Sequence, residues 1–216
     1  MKKLHLGCGK RNFPGFINVD LADYPHIHHK RSVDDLSPFE NGSVDLIYAS
    51  HVFEYFKFSD APRVLAEWRR VLRTGGILKL AVPDLTKLIS AYEISHNALD
   101  IQGPIYGLMD IISDGKPRVV YHKVLYDFNL LEKILEQNGF DCVMRYDWKE
   151  FLPEGTEDHS AAYIPSRDYA DGICVSLNIQ AAKAGEFKAI RLSAKRAVAN
   201  IIWRAKRKVQ RLNFKP

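Results

Sequence analysis

A chain of 216 residues is long enough for one domain with a sizeable core. It is 46% hydrophobic and 26% charged, as globular chains are, and no run of about 18 apolar residues signals a membrane-spanning helix. The net charge of +5 is unevenly placed. Residues 186–216 hold ten Lys/Arg and one Glu, leaving 21 Lys/Arg against 25 Asp/Glu in residues 1–185, so the mildly acidic body argues against a broad nucleic-acid face.

The chain opens Met-Lys-Lys, but His5, Gly7, Lys10 and Arg11 interrupt any signal-peptide core. Lys3–Leu6 alternates like a short strand, Gly7-Cys8-Gly9 follows at once, and Ile17–Val19 is a second β-type run ending in Asp20. Glycine lets a ligand approach bare backbone, and an acid at the tip of the next strand can accept from a ribose diol. A nucleoside-containing cofactor is therefore expected. Only ten residues, 7–16, separate the two strands. That is too little for a crossover with a full helix, and no third glycine completes the dinucleotide fingerprint, which weighs against NAD or FAD. No G-x-x-x-x-G-K-[ST] occurs, so a P-loop is excluded.

Lys30–Val33 reads as a weak third strand running into Asp34-Asp35, and Val44–Ala49 as a fourth. Asp60–Leu72 has apolar residues at helical spacing, with Asp60 as candidate N-cap, Pro62 in the first turn and Gly75-Gly76 as its stop. Ile77–Val82 is a continuous apolar strand suited to the middle of a sheet. Leu85–Ile94 reads as a helix and Ile105–Ile112 as a second helix or irregular segment. Leu130–Gln137 is an amphipathic helix closed by Asn138-Gly139, Cys142–Tyr146 and Ile173–Gln180 are strands, and Pro153–Asp171 is a polar loop. This alternation predicts an α/β fold with a mainly parallel sheet. Cys8, Cys142 and Cys174 lack C-x-x-C spacing and read as reduced thiols of a cytoplasmic protein, with Cys8 a small buried filler. His26, His28 and His29 have no Cys, Asp or Glu at ligand spacing, and no metal is expected.

In order along the chain stand LHLGCGKRNFPGFINVD, VDDLSPFENGSVDLIYASHVFEYF, EWRRVLRTGGILKLAVPD and FNLLEKILEQNGFDCVMRYD. With these pieces the chain, over roughly residues 3–181, resembles the class I S-adenosylmethionine-dependent methyltransferases, in particular small bacterial methyltransferase type 11-like proteins. The resemblance implies a Rossmann-like seven-stranded mainly parallel sheet with helices on both faces and one antiparallel edge strand. It implies S-adenosylmethionine at the strand carboxyl ends. Gly7, Cys8 and Gly9 would line the methionine part by backbone, and Asp20, with Leu21 beside it, would receive the ribose hydroxyls. Asp35 would accept from the adenine amine and the Leu36 N–H would meet the ring. Ser50 and His51 would border the methyl group. Arg11 replaces a frequent third glycine, and Tyr55 stands where His is frequent after H-V-x-E.

Methyl transfer is an in-line displacement that needs an aligned nucleophile and, for many O or N acceptors, a general base. His51 and His122 are the catalytic candidates, with His159 behind them. The division expected is a catalytic domain over 1–185, with substrate-side insertions at 84–125 and 150–172, and a basic amphipathic tail over 186–216. In the tail Ile190, Ala194, Val198, Ile201, Ala205, Val209 and Leu212 recur at helical spacing among Lys and Arg. A basic amphipathic helix suits an anionic membrane surface on the cytoplasmic side. Packing on the body, a homo-oligomer contact and nucleic acid are the alternatives. The acceptor expected is a small molecule or a glycan, with a membrane-borne saccharide foremost. An RNA or protein methyltransferase and a non-catalytic cofactor-binding subunit are the rival readings.

Overall fold

The computed structural model describes residues 1–113 and 116–185, so the segment predicted as a basic tail lies outside the described residues. Strands β1 (Lys3–Leu6) and β2 (Ile17–Asp20) are joined by the glycine loop with no helix between them. β3 is only His29–Lys30 and meets the expected Lys30–Val33 at Lys30 alone: the Arg31 N–H makes the last ladder bond, to Asp20 O, and the chain then turns, with the Asp35 N–H donating to Ser32 O. β4 (Val44–Ser50) leads through short 3-10 turns to α1 (Ala61–Val71), which passes directly into β5 (Leu72–Pro83). Then come α2 (Leu85–Ser95), α3 (Ala98–Tyr106), a hairpin of β6 (Met109–Ser113) and β7 (Lys116–Val120), α4 (Phe128–Gln137) and β8 (Phe140–Arg145). The one-turn α5 (Trp148–Phe151), a small ladder of β9 (Tyr163–Ile164) and β10 (Ile173–Cys174), and β11 (Ser176–Lys183) complete the described chain.

The main sheet has the order β3-β2-β1-β4-β5-β11-β8. β11 runs antiparallel to both β5 and β8, and the other pairs are parallel. The expected antiparallel strand is present, one place in from the edge. Its residues Leu177, Ile179 and Ala181 are almost fully buried, whereas β8 is mostly exposed or half-buried. β11 thus lies in the interior of the sheet, and β8, whose exposed residues include Met144 and Arg145, forms its edge.

One core cluster joins Leu4, Leu6, Ile47, Leu78, Leu80 and Ile179 to Val64, Leu65 and Trp68 of α1 and Leu131 and Leu135 of α4. A second cluster holds Phe13, Tyr48, Trp148, Leu152 and Ala161. Its helical part is only α5, and the glycine loop and residues around 161 supply the rest of the cover. A third joins Leu88 and Ala91 of α2 to Ile101 and Ile105 of α3 and to Ile164, Ile173 and Val175. The two predicted insertions thus pack together.

Three local expectations change. Asp60 sits at the α1 N-cap position but in αR geometry, with no side-chain capping bond. Gly75 and Gly76 do not stop α1: Leu72 leaves the helix with ψ 136°, and the glycines lie inside β5. Residues 105–112 are not one helix. α3 ends at Tyr106, Gly107 takes φ +51°, and Met109–Ser113 pairs with Lys116–Val120.

Candidate active site

The carboxyl ends of β1, β2 and β4 bring the sequence candidates together. Gly7 and Gly9 both have positive φ, +64° and +53°, which side chains rarely tolerate. A Cβ on Gly7 would lie 2.2 Å from Val52 Cγ2, whereas one on Gly9 meets nothing within 4 Å. Gly7 is therefore required by packing, and Gly9 faces open space. The Gly9 N–H donates to Asp20 Oδ2 at 2.7 Å and the Ala22 N–H to Oδ1 at 2.8 Å, so Asp20 fastens the loop to the tip of β2. Each carboxylate oxygen keeps a further lone pair for a ligand. Leu21, next in the chain, is exposed, and Cys8 is buried. Burial, reinforced by Asp20, pushes the Cys8 thiol up to about 12 and keeps it protonated.

The acids after β3 separate. Asp34 pairs with Arg63 at 2.6 Å and accepts from the Ser32 hydroxyl, tying it toward α1. Asp35 stays exposed, accepting from the Ser37 N–H and from Arg31, contacts that hold its carboxyl below the usual range. The Leu36 N–H expected to meet an adenine ring instead donates to Glu67 Oε1 at 2.9 Å, and the Leu36 side chain is buried. A backbone amide donates one bond, so Leu36 is corrected from a ring partner to a core residue. His26, His28 and His29 do not converge. His26 Nε2 lies 2.9 Å from Gly9 O, His28 Nδ1 accepts from the Asn18 N–H, and His29 packs edge-on to Phe39.

Ser50 ends β4 with its Oγ buried and without a hydrogen-bond partner among the described residues. His51 follows at φ +53°, a strained conformation for a side-chain-bearing residue and one that accompanies functional sites. Its Nε2 meets Ser176 Oγ at 3.1 Å and its Nδ1 lies 3.3 Å from Glu54 Oε1. His122, from beyond the β6–β7 hairpin, places Nε2 3.6 Å from the same oxygen and Nδ1 2.9 Å from Pro104 O. Burial depresses His122, with Glu54 opposing. Gly107 makes room: a Cβ there would fall 2.0 Å from His122 Nε2. His159 stands at the mouth, its ring 5.4 Å from that of His51, and burial holds it low as well. The three histidines named from sequence thus share one end of the sheet. Glu54, fully buried between two of them, is the residue sequence reading missed. Its only signal was an acid in an apolar run, three residues after His51.

Residues 4–80 match the family model described as a methyltransferase domain. Over this segment the chain carries the pattern of a methyltransferase domain, and its seven-stranded, mainly parallel sheet is a Rossmann-like methyltransferase fold. Among solved structures the chain is similar to a SAM-dependent methyltransferase from Methanosarcina mazei, at 15% identity over 86% of this chain and 93% of that one, with a TM-score of 0.50. A SAM-dependent methyltransferase from Archaeoglobus fulgidus matches at 16% identity over 84% and 86% of the two chains, also with a TM-score of 0.50. The 1,6-didemethyltoxoflavin-N1-methyltransferase from Burkholderia thailandensis aligns at 14% identity over 85% and 71%, with a TM-score of 0.48. No curated protein matches the chain.

The residues present fit a nucleoside sulfonium. Gly9 offers open backbone, Asp20 keeps free lone pairs at a strand tip, and the orphaned Ser50 hydroxyl waits at the end of β4.

Proposed function

We propose that this chain is a methyltransferase that holds S-adenosylmethionine on Gly7, Cys8 and Gly9, Asp20 and Asp35. Its acceptor is a hydroxyl or amine of a small molecule or glycan, brought up beside Ser50 and His51. The observation that carries this reading is the open backbone at Gly9 pinned to Asp20 within the segment that matches the methyltransferase family model. The cofactor supplies an electrophilic methyl group. The chain's share is alignment and a place for the acceptor's proton, for which His51 and His122 are the basic groups at hand.

A membrane-borne saccharide is the acceptor class we favour. The insertion carries exposed Ile94, Leu99, Leu108 and Val119, each at least 60% exposed, and the sequence beyond residue 185 is strongly basic. Exposed apolar side chains beside a cationic segment suit a lipid interface. Among the described residues no helix is long and apolar enough to cross a membrane.

Calorimetric titration of the full chain with S-adenosylhomocysteine tests the cofactor reading. Binding is expected, weakened at least about tenfold, or ~1.4 kcal/mol, in Asp20→Ala. No binding by the unmodified chain rejects it. For the membrane reading, vesicles containing anionic lipid are expected to retain the full chain and to release a chain ending at Gly185. Equal retention of both would show that the basic segment is not the anchor.

A further inference from the structure

The hydrogen bonds around Glu54 assign ring protons. Ser160 O can only accept, so the amide that meets it at 2.9 Å is Asn178 Nδ2, and Asn178 Oδ1 must accept from Ser176 Oγ–H at 3.1 Å. With its hydrogen committed, Ser176 Oγ accepts from His51, whose Nε2 therefore carries a proton. On the other side Pro104 O can only accept, so His122 carries its proton on Nδ1. The remaining ring nitrogens, Nδ1 of His51 and Nε2 of His122, both face Glu54 Oε1. Neither Glu54 oxygen has a hydrogen-bond partner within bonding geometry, and its side chain is 0% exposed. Two bare nitrogens and a bare carboxylate oxygen would repel one another and leave a buried charge uncompensated, which costs several kcal/mol.

We infer that Glu54, His51 and His122 share one additional proton at rest, and that Glu54 is the positioning residue that makes the pair of histidines a proton store in the wall of the site. The store is then neutral at rest. It rests on the proposed methyl transfer for its use. When an acceptor X–H is methylated, the methyl leaves the sulfonium, whose bonding electron pair stays on sulfur, and the acceptor proton must go to a base. The nitrogen still bare takes it, so both N–H groups then point at one carboxylate and the trio carries one net positive charge, which replaces the positive charge that the sulfonium loses on giving up its methyl. His51, with 11% of its side chain exposed against 5% for His122, is the member through which protons exchange. The other ionisable groups facing Glu54 are the Tyr55 and Tyr126 hydroxyls, both pushed up by burial and by Glu54 itself, and His159 beyond His51. None of them supplies a proton near neutrality without cost.

The test is nitrogen-detected NMR of the full chain labelled at histidine, followed over pH, with the infrared carboxylic-acid band as the complement. Expected are a protonated Nδ1 on His122, a protonated Nε2 on His51, and one further proton at neutral pH. That proton appears either as a doubly protonated ring or as a protonated Glu54. Glu54→Gln, close in shape, is expected to lose it and to lower the His122 midpoint by roughly one unit. Glu54→Asp, which keeps the charge but not the reach, is expected to fall between. Two plain neutral rings with an ionised Glu54, or His122 protonated on Nε2 alone, overturn the inference. So does stoichiometric zinc in the purified chain, which would put a metal in the proton's place. S-adenosylhomocysteine titration of the same samples separates the two readings. Binding retained without the extra proton sinks only the store, and absent binding sinks the methyl-transfer reading.

Discussion

At the scale of single residues, Gly7 and Gly9 share a conformation and differ in surroundings. Both sit near φ +60°, where a Cβ costs about 1–2 kcal/mol. Gly7→Ala also drives a methyl into Val52, which lies on the 3-10 side of His51, so the fold itself must give. Gly9→Ala meets no protein atom and carries only the backbone cost. The two variants should therefore separate stability from binding. Gly7→Ala should lower the midpoint of urea unfolding the more, by the equivalent of about 2–3 kcal/mol. Gly9→Ala should lose only the backbone cost of about 1–2 kcal/mol, less than Gly7→Ala, but also lose S-adenosylhomocysteine affinity, since its methyl occupies the space left for the ligand. If Gly9→Ala bound normally, the open backbone would not be the cofactor surface.

At the scale of elements, Asp84 shows how one side chain joins three of them. It ends β5, its Oδ1 caps α2 by accepting from the Thr86 and Lys87 N–H groups, and its Oδ2 meets Arg145 of β8 at 3.2 Å. It is only 1% exposed. Asp84→Ala should cost about 1–2 kcal/mol for the cap alone, or roughly 2–4 °C of melting temperature per kcal/mol. Asp84→Asn keeps the acceptor for the cap and should recover most of that in a thermal melt. β1, β4 and the glycine turn were legible in the sequence, because each is a local pattern of period or turn chemistry. The place of β11 was not legible, since no local pattern says which strand a late strand will lie beside. Ile105–Ile112 misled because its apolar residues fit either period, and the break at Gly107 is dictated by the ring of His122, fifteen residues on. Glu54 escaped for the same reason. Its histidine partner lies 68 residues away, and only the fold brings His122 onto it. The Leu36 amide was misread because its true acceptor, Glu67, comes from α1.

At the scale of the whole molecule, the second sheet face makes the fold sensitive to acid. His5 on β1 is 1% exposed, stacks on Phe13 with ring centroids 5.0 Å apart, and lies 5.1 Å from the Tyr48 ring. Burial lowers it from 6.5 to about 4, against a smaller opposing pull from Asp158. Its Nδ1 has no hydrogen-bond partner among the described residues, so a proton there would face an apolar wall. The unfolded chain takes that proton as pH falls through 6.5, and the folded chain takes it only near 4. Between those values the unfolded state binds more protons, so stability falls as pH falls. Stability is unaffected by His5 above 6.5, and the loss reaches about 3 kcal/mol by the time pH falls to 4. Burial depresses His159 too, with the same sign. Urea unfolding at a series of pH values should therefore show a midpoint that drops across this window. His5→Phe, which keeps the aromatic stack and removes the titrating nitrogen, should flatten the drop without abolishing it, because His159 remains. An unchanged slope in His5→Phe would mean that His5 is solvated or hydrogen-bonded in the folded protein, and that the aromatic layer over β1 and β4 is looser than its ring contacts require.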